Sequence, residues 1–226
     1  MDFSHPFRVI TNGVEGAILG LLASGDRSYT SREIERSLNS RSYEPIRLAL
    51  KRLELQGIIT AEPGGARAVL YRFNGEHLAA PYVQGIALLR QELIARLRAT
   101  LEDWPLAPAA AVVFGSVARG QATEASDLDV LVIRPQGITA EDPVWRDQVA
   151  TLSSLATRWT GNDARVLEYG YEELPGLATS EPVLENAARD GIDLMPSTFR
   201  VVFKRAGRGR AVSAAQPAHT RRGAIR

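Results

Sequence analysis

None of the chain's 226 residues is cysteine, which excludes disulfides, thiolate metal sites and cysteine nucleophiles. Histidine is nearly as scarce. Only His5, His77 and His219 occur, too scattered to favour a histidine-centred zinc site or a catalytic triad. No run approaches the roughly 18 apolar residues that a membrane helix needs. The first residues also lack the basic-then-apolar order of a signal peptide, so a cytoplasmic protein without membrane association is expected. What remains is ordinary globular material, 45% hydrophobic and 23% charged, enough for one large core or two small ones.

The net charge of +1 conceals an uneven distribution. Residues 204–226 hold seven Lys/Arg and no acid, whereas residues 1–80 are near balance with ten basic and nine acidic. The stretch 81–203 has ten basic against 17 acidic residues. An acidic middle suits a cation site, and a basic tail suits a polyanion or an acidic partner.

Residues 14–73 read as three short helices and a hairpin. Val14, Ile18, Leu21 and Leu22 recur at helical spacing. Thr30-Ser31-Arg32-Glu33 has the form of a capping box ahead of Ile34 and Leu38. A third helix begins after Ser42, accepts Pro45 in its first turn, buries Ile46, Ala49, Leu50 and Leu53, and ends at Gly57. Two strands, 58–62 and 68–73, follow around Pro63-Gly64-Gly65-Ala66. This layout is that of a winged helix, and the 47–59 stretch resembles the recognition helix and wing entry of bacterial winged-helix regulators. The resemblance implies DNA contacts through Arg41, Arg47, Lys51 and Arg52, with Arg67 at the wing tip. The alternative is that these are solvated helix faces.

Gly75 to Pro81 reads as a linker. One long amphipathic helix is then expected over 82–102, with Ile86, Leu89, Leu93, Leu97 and Leu101 on a stripe that is either core or a homodimer seam. Beyond the Trp104-Pro105-Leu106-Ala107-Pro108 break the order is strand, turn, strand, a helix over 143–160, a strand over 164–169, a helix over 181–190 and a short apolar segment. Short connections between mixed elements indicate an α/β or α+β domain. The Gly/Arg/Ala-rich tail after Lys204 reads as disordered.

The segment most informative about chemistry lies between the first two of those strands. Val112-Val113-Phe114 runs into Gly115-Ser116, and Ser126-Asp127-Leu128-Asp129 opens a strand continued by Val130-Leu131-Val132-Ile133. Side chains two apart on a strand share a face, so Asp127 and Asp129 stand together. Paired carboxylates on a buried strand are costly unless neutralised, and a divalent cation does this. The alternative is a solvated strand end. Gly115 permits close backbone approach to a phosphate, a helix starting near Ser116 would present free N–H groups, and Arg119 offers a cation.

Taken together, Gly115-Ser116-x-Ala118-Arg119-Gly120-x-Ala122, then Ser126-Asp127-x-Asp129, resembles the signature of polymerase-β-type nucleotidyltransferases. Small bacterial minimal nucleotidyltransferases look closest, and Gly191-Ile192-Asp193-Leu194 is similar to the family's closing segment. The resemblance implies that Gly115, Ser116, Arg119 and Ser126 contact an NTP, and that Asp127 and Asp129 bind Mg²⁺ (or Mn²⁺). It also implies a third carboxylate on a later strand. Aligning 163–169 through Glu172-Glu173-Leu174 puts Arg165 at that place. Asp163 shares the face of Arg165, whereas Glu168 lies on the other unless the strand bulges. Glu168, among apolar neighbours, is the candidate third catalytic acid, with Asp163 as the alternative.

The expected architecture is therefore α+β. A winged helix-turn-helix over 1–80 and a connecting helix over 81–103 precede a nucleotidyltransferase domain over 104–203, with a mixed sheet flanked by helices, and a basic tail over 204–226. The expected activity is Mg²⁺-dependent transfer of a nucleotidyl group, AMP from ATP ahead of others, to a hydroxyl acceptor such as a partner protein in a toxin–antitoxin-type system. The competing expectation is a DNA-binding regulator whose nucleotidyltransferase domain only senses nucleotide.

Overall fold

The computed structural model describes residues 1–39, 42–65, 68–177 and 181–205, in two units. The expected tail lies outside the described residues from 206 onward, although Lys204 and Arg205 still belong to a helical stretch over 199–205.

Of the described residues, the first unit comprises 1–39, 42–65, 68–95, 120–126 and 160–162. A short 3₁₀ turn, Pro6–Val9, precedes helix α1 (Val14–Ala23), strand β1 (Tyr29–Thr30), α2 (Ser31–Ser37), α3 (Tyr43–Leu55), β2 (Ile59–Pro63), β3 (Val69–Phe73) and α4 (Ala80–Ala87). The three strands form an antiparallel sheet in the order β1-β3-β2. The capping box at α2 is present: Glu33 N–H donates to Thr30 Oγ1 at 3.2 Å, and Thr30 N–H donates to a Glu33 carboxylate oxygen at 2.7 Å. Helix α3 closes in a Schellman motif on Gly57 (φ 76°), with Gly57 N–H donating to Glu54 O and Ile58 N–H to Leu53 O. Ile18, Leu22, Ile34, Ile46, Leu50 and Ile59 form the centre of this core. Each is almost wholly buried, which is worth about 1.5–3 kcal/mol per side chain relative to exposure.

Two expectations need correction here. Pro81 does not end a linker; it sits in the first turn of α4, where its missing N–H costs nothing. Nor is there one helix over 82–102. The chain leaves helical geometry at Leu88 (φ −103°, ψ 14°) before α5 (Leu89–Glu102) begins. Leu88 keeps its bond to Gln84 O and accepts from Glu92 N–H, so the bend loses little hydrogen bonding. Gly85 weakens the turn before it. Leu93, Leu97 and Leu101 are buried within the single chain, so this part of the stripe is core rather than an open seam.

Of the described residues, the second unit comprises 96–119, 127–159, 163–177 and 181–205. It contains β4 (Ala110–Phe114), the single-turn helix α6 (Gly115–Ala118), β5 (Leu128–Arg134), α7 (Pro143–Thr160), β6 (Ala164–Gly170), α8 (Leu174–Leu177), α9 (Pro182–Asp190) and β7 (Ile192–Asp193). Its mixed sheet has the order β6-β5-β4-β7. The β4/β5 and β4/β7 pairs are antiparallel, and β5/β6 is parallel. Parallel neighbours need a crossover, and α7 supplies it. One sheet face, with Val112, Phe114, Leu131 and Ile133, packs on Leu184, Ala187 and Phe199. Gly191 makes this packing possible, because a Cβ there would lie 2.3 Å from Ala187 O and 2.4 Å from Val112 Cγ2. Among the described residues no helix is long and apolar enough to cross a membrane.

Candidate active site

Strands β4 and β5 pair so that Phe114 lies opposite Asp129. The turn leaving β4 therefore passes directly beside the second aspartate. Gly115 adopts φ 71°, and a Cβ on it would fall 2.5 Å from Asp129 Oδ2. Glycine is thus required twice over, for backbone sign and for space. Helix α6 is a single turn, with Val117 buried beneath it, Ser116 half-buried and Arg119 exposed at its end.

Asp127 immediately precedes β5 and Asp129 is its second residue, and both are half-buried. The carboxyl of Asp129 is held above the usual carboxylate range, first by burial and then by the charge of Asp127, while Arg165 and Arg119 pull the other way. Arg165 is the ladder partner of Asp129 on β6. Its guanidinium lies 2.8 Å from Asp127 Oδ2 and 3.4 Å from Asp163 Oδ2. Asp163 itself is exposed and bonds outward to Arg165.

Glu168 is not brought to this place. Its ladder partner is Val132, and the β5/β6 register runs without a bulge from Leu128 to Arg134. Strict alternation therefore turns Glu168 to the opposite face from Arg165. There it accepts from Trp145 Nε1 at 2.6 Å and pairs with Arg134 at 3.5 Å. Arg134 is a buried cation whose other bonds go to Ile138 O and Glu173. With Glu173, Glu168 is thus one of its two counter-ions among the described residues. Replacing it with glutamine is expected to lower unfolding free energy by about 1–3 kcal/mol while leaving divalent-ion affinity unchanged. Urea denaturation and a Mn²⁺ titration of the same variant check both halves.

Ser126 belongs to the first unit, where its hydroxyl accepts from Thr123 N–H at 2.9 Å and braces the loop leading to Asp127. The main anchor of that loop is a residue the sequence reading missed. Buried Asn162 donates from Nδ2 to Ser126 O at 2.7 Å and to Thr123 O at 3.1 Å. In sequence, an asparagine after Gly161 is indistinguishable from an ordinary turn residue, so no local signal marked it.

Of the proposed DNA-contacting residues, Arg47, Lys51 and Arg52 are exposed on α3. Arg47 is forked onto Glu44 at 2.7 and 3.0 Å, and Arg52 pairs with Glu15. Arg41 and Arg67 lie outside the described residues.

Among the described residues no group of three or more His, Cys, Asp or Glu side chains gathers for a metal ion. Asp127 and Asp129 alone still fit Mg²⁺, which commonly takes one or two carboxylates and completes its shell with water and substrate phosphates. Asp129 Oδ2 lies against the Gly115 turn, and Asp127 Oδ2 is engaged by Arg165.

Residues 94–169 match the family model for the nucleotidyltransferase domain. This match spans roughly a third of the chain and includes β4, α6, β5 and all but the last residue of β6. A comparison with curated protein sequences finds no match. Among solved structures, similarity is found to a toxin–antitoxin crystallised with AMP-PNP, at 15% identity over 55% of this chain and 90% of that one, TM-score 0.36. A second is an MntA–HpeT toxin–antitoxin variant, at 12% identity over 54% and 89%, TM-score 0.36. A third is a tri-AMPylated Shewanella oneidensis HEPN toxin in complex with its MNT antitoxin, at 12% identity over 55% and 90%, TM-score 0.35. Likeness at this level says nothing about substrate or partner.

Proposed function

We propose that the second unit is a Mg²⁺-dependent nucleotidyltransferase that moves a nucleotidyl group, AMP from ATP ahead of others, onto a hydroxyl acceptor. The observation that carries this reading is the pair of half-buried carboxylates at the start of β5, Asp127 just before the strand and Asp129 within it, the second lying against the Gly115 turn. The family match over the same elements supports it. Asp127 and Asp129 would hold the ion, with Mn²⁺ as an alternative, and Gly115 and Ser116 would lie against the triphosphate. When bound, the ion would neutralise phosphate charge and orient the α-phosphorus for in-line attack. Arg119 and Arg165 add positive charge around the same place, so the work of these residues is positioning and charge stabilisation. The acceptor in this reading is a hydroxyl on a partner protein of toxin–antitoxin type.

The test is pyrophosphate release from ATP and Mg²⁺ by the purified chain, with and without a candidate acceptor. Release that is lost in Asp127→Ala and Asp129→Ala supports transfer. ATP binding without any release supports the competing reading, a regulator that senses nucleotide.

The first unit is proposed to contact DNA in either case. In this reading α1, α2, α3 and the β1-β3-β2 sheet would act as a winged helix, with α3 as its recognition helix. Because Glu44 and Glu15 occupy Arg47 and Arg52, DNA must displace these acids to engage them. In a mobility-shift assay, Arg47→Ala combined with Lys51→Ala is expected to weaken binding at least tenfold and to reduce its salt dependence. Unchanged binding removes α3 as the reader.

A further inference from the structure

Arg165 introduces a fixed positive charge into a site read as a cation site. Its Cα is tied to Asp129 by the β5/β6 ladder, so the residue cannot leave the neighbourhood, and its guanidinium uses Oδ2 of Asp127 at 2.8 Å. A divalent ion seated on Asp127 and Asp129 meets this guanidinium in two ways. It must take the carboxylate oxygen that Arg165 holds, and it must then tolerate a like charge nearby. Both effects lower the affinity of the free protein for a bare ion. Polyphosphate reverses the sign. With anionic oxygens present, the displaced guanidinium gains a new partner, because arginine is well matched to phosphate. Asp163, 3.4 Å from Nε and exposed, steadies the side chain without burying it.

We propose that Arg165 is a specificity-determining residue that makes the carboxylate pair reject a free divalent ion and accept one arriving with a polyphosphate. This inference rests on the function proposed above.

The test uses the full chain and two probes, Mn²⁺ alone and a non-hydrolysable ATP analogue at saturating Mn²⁺. Arg165 is exposed, so Arg165→Met is expected to leave thermal unfolding nearly unchanged. The variant should bind Mn²⁺ alone about three- to fivefold more tightly, the scale of an exposed ion pair, and bind the analogue more weakly by a similar factor. Arg165→Lys should fall between. The gain in Mn²⁺ affinity should shrink as salt rises, since screening already weakens the Arg165–Asp127 pair. A purely structural role gives no such opposed shifts. Asp127→Asn separates the two possible failures. If it abolishes Mn²⁺ binding while Arg165→Met changes neither affinity, or moves both in the same direction, the Arg165 inference is overturned and the metal reading stands. If Asp127→Asn binds Mn²⁺ as well as the wild type, the metal reading fails and takes the inference with it.

Discussion

Asp129→Asn is expected to cut nucleotidyl transfer by at least about 10²-fold, the scale of a single lost electrostatic contact in an active site, and to remove measurable Mn²⁺ binding. The same substitution should not destabilise the metal-free protein. Burial and the neighbouring charge of Asp127 hold the Asp129 carboxyl above its ordinary range, so the folded state binds its proton more tightly than the unfolded state does. For such a group the favourable contribution is fully present below the unfolded pKa and is lost as pH rises through the folded one. At neutral pH the ionised carboxylate is therefore a cost that asparagine relieves. Thermal unfolding in a chelator should show the variant at or above the wild-type midpoint near pH 7, with the advantage fading on acidification. Divalent ions require the ionised form, so wild-type Mn²⁺ affinity should fall as pH drops through the raised pKa, earlier than an unperturbed aspartate would dictate. A variant that is both less stable at neutral pH and still binds Mn²⁺ contradicts this account.

The local parts of the site were legible because they obey local rules. The apolar run through Ile133 located β5, with Asp127 just before it and Asp129 within it, and the Thr30–Glu33 spacing located the start of α2. Glu168 shows where such reading fails and why. Its apolar neighbours did signal a special environment, but the environment is the Arg134–Trp145 pair on the opposite sheet face. Alternation had already argued for that face, and the unbroken β5/β6 register upholds it. Parity along a strand was the stronger evidence and composition the weaker. Other features were beyond local pattern altogether. Strand β1 is two residues long, below any detectable period, and exists because Tyr29 and Thr30 pair with Tyr71 and Leu70 about forty positions later. Asn162 acts on residues more than thirty positions away. The bend at Leu88 interrupts a stripe whose hydrophobic spacing runs through it, so periodicity alone reads one helix.

Gly115→Ala should do more damage than its size suggests, and the chain carries its own control. Alanine at Gly115 meets two penalties. The left-handed backbone costs an L-residue about 1–2 kcal/mol, and the new Cβ lies 2.5 Å from Asp129 Oδ2, a distance that real contacts do not sustain. Gly137 has nearly the same backbone, φ 79°, but nothing within 4 Å of a Cβ. Gly137→Ala should therefore report the backbone penalty alone. The excess cost at Gly115 is the clash, about 1–3 kcal/mol if the strands hold and less if Asp129 swings aside. Either response reaches the site. Rigid strands give a strongly destabilised protein. A displaced Asp129 gives a protein of intermediate stability whose Mn²⁺ affinity drops at least tenfold. Denaturant unfolding of both variants, paired with Mn²⁺ titration, distinguishes these responses. If Gly115→Ala costs no more than Gly137→Ala and keeps wild-type Mn²⁺ affinity, the turn does not constrain Asp129, and the geometric basis for the site is lost.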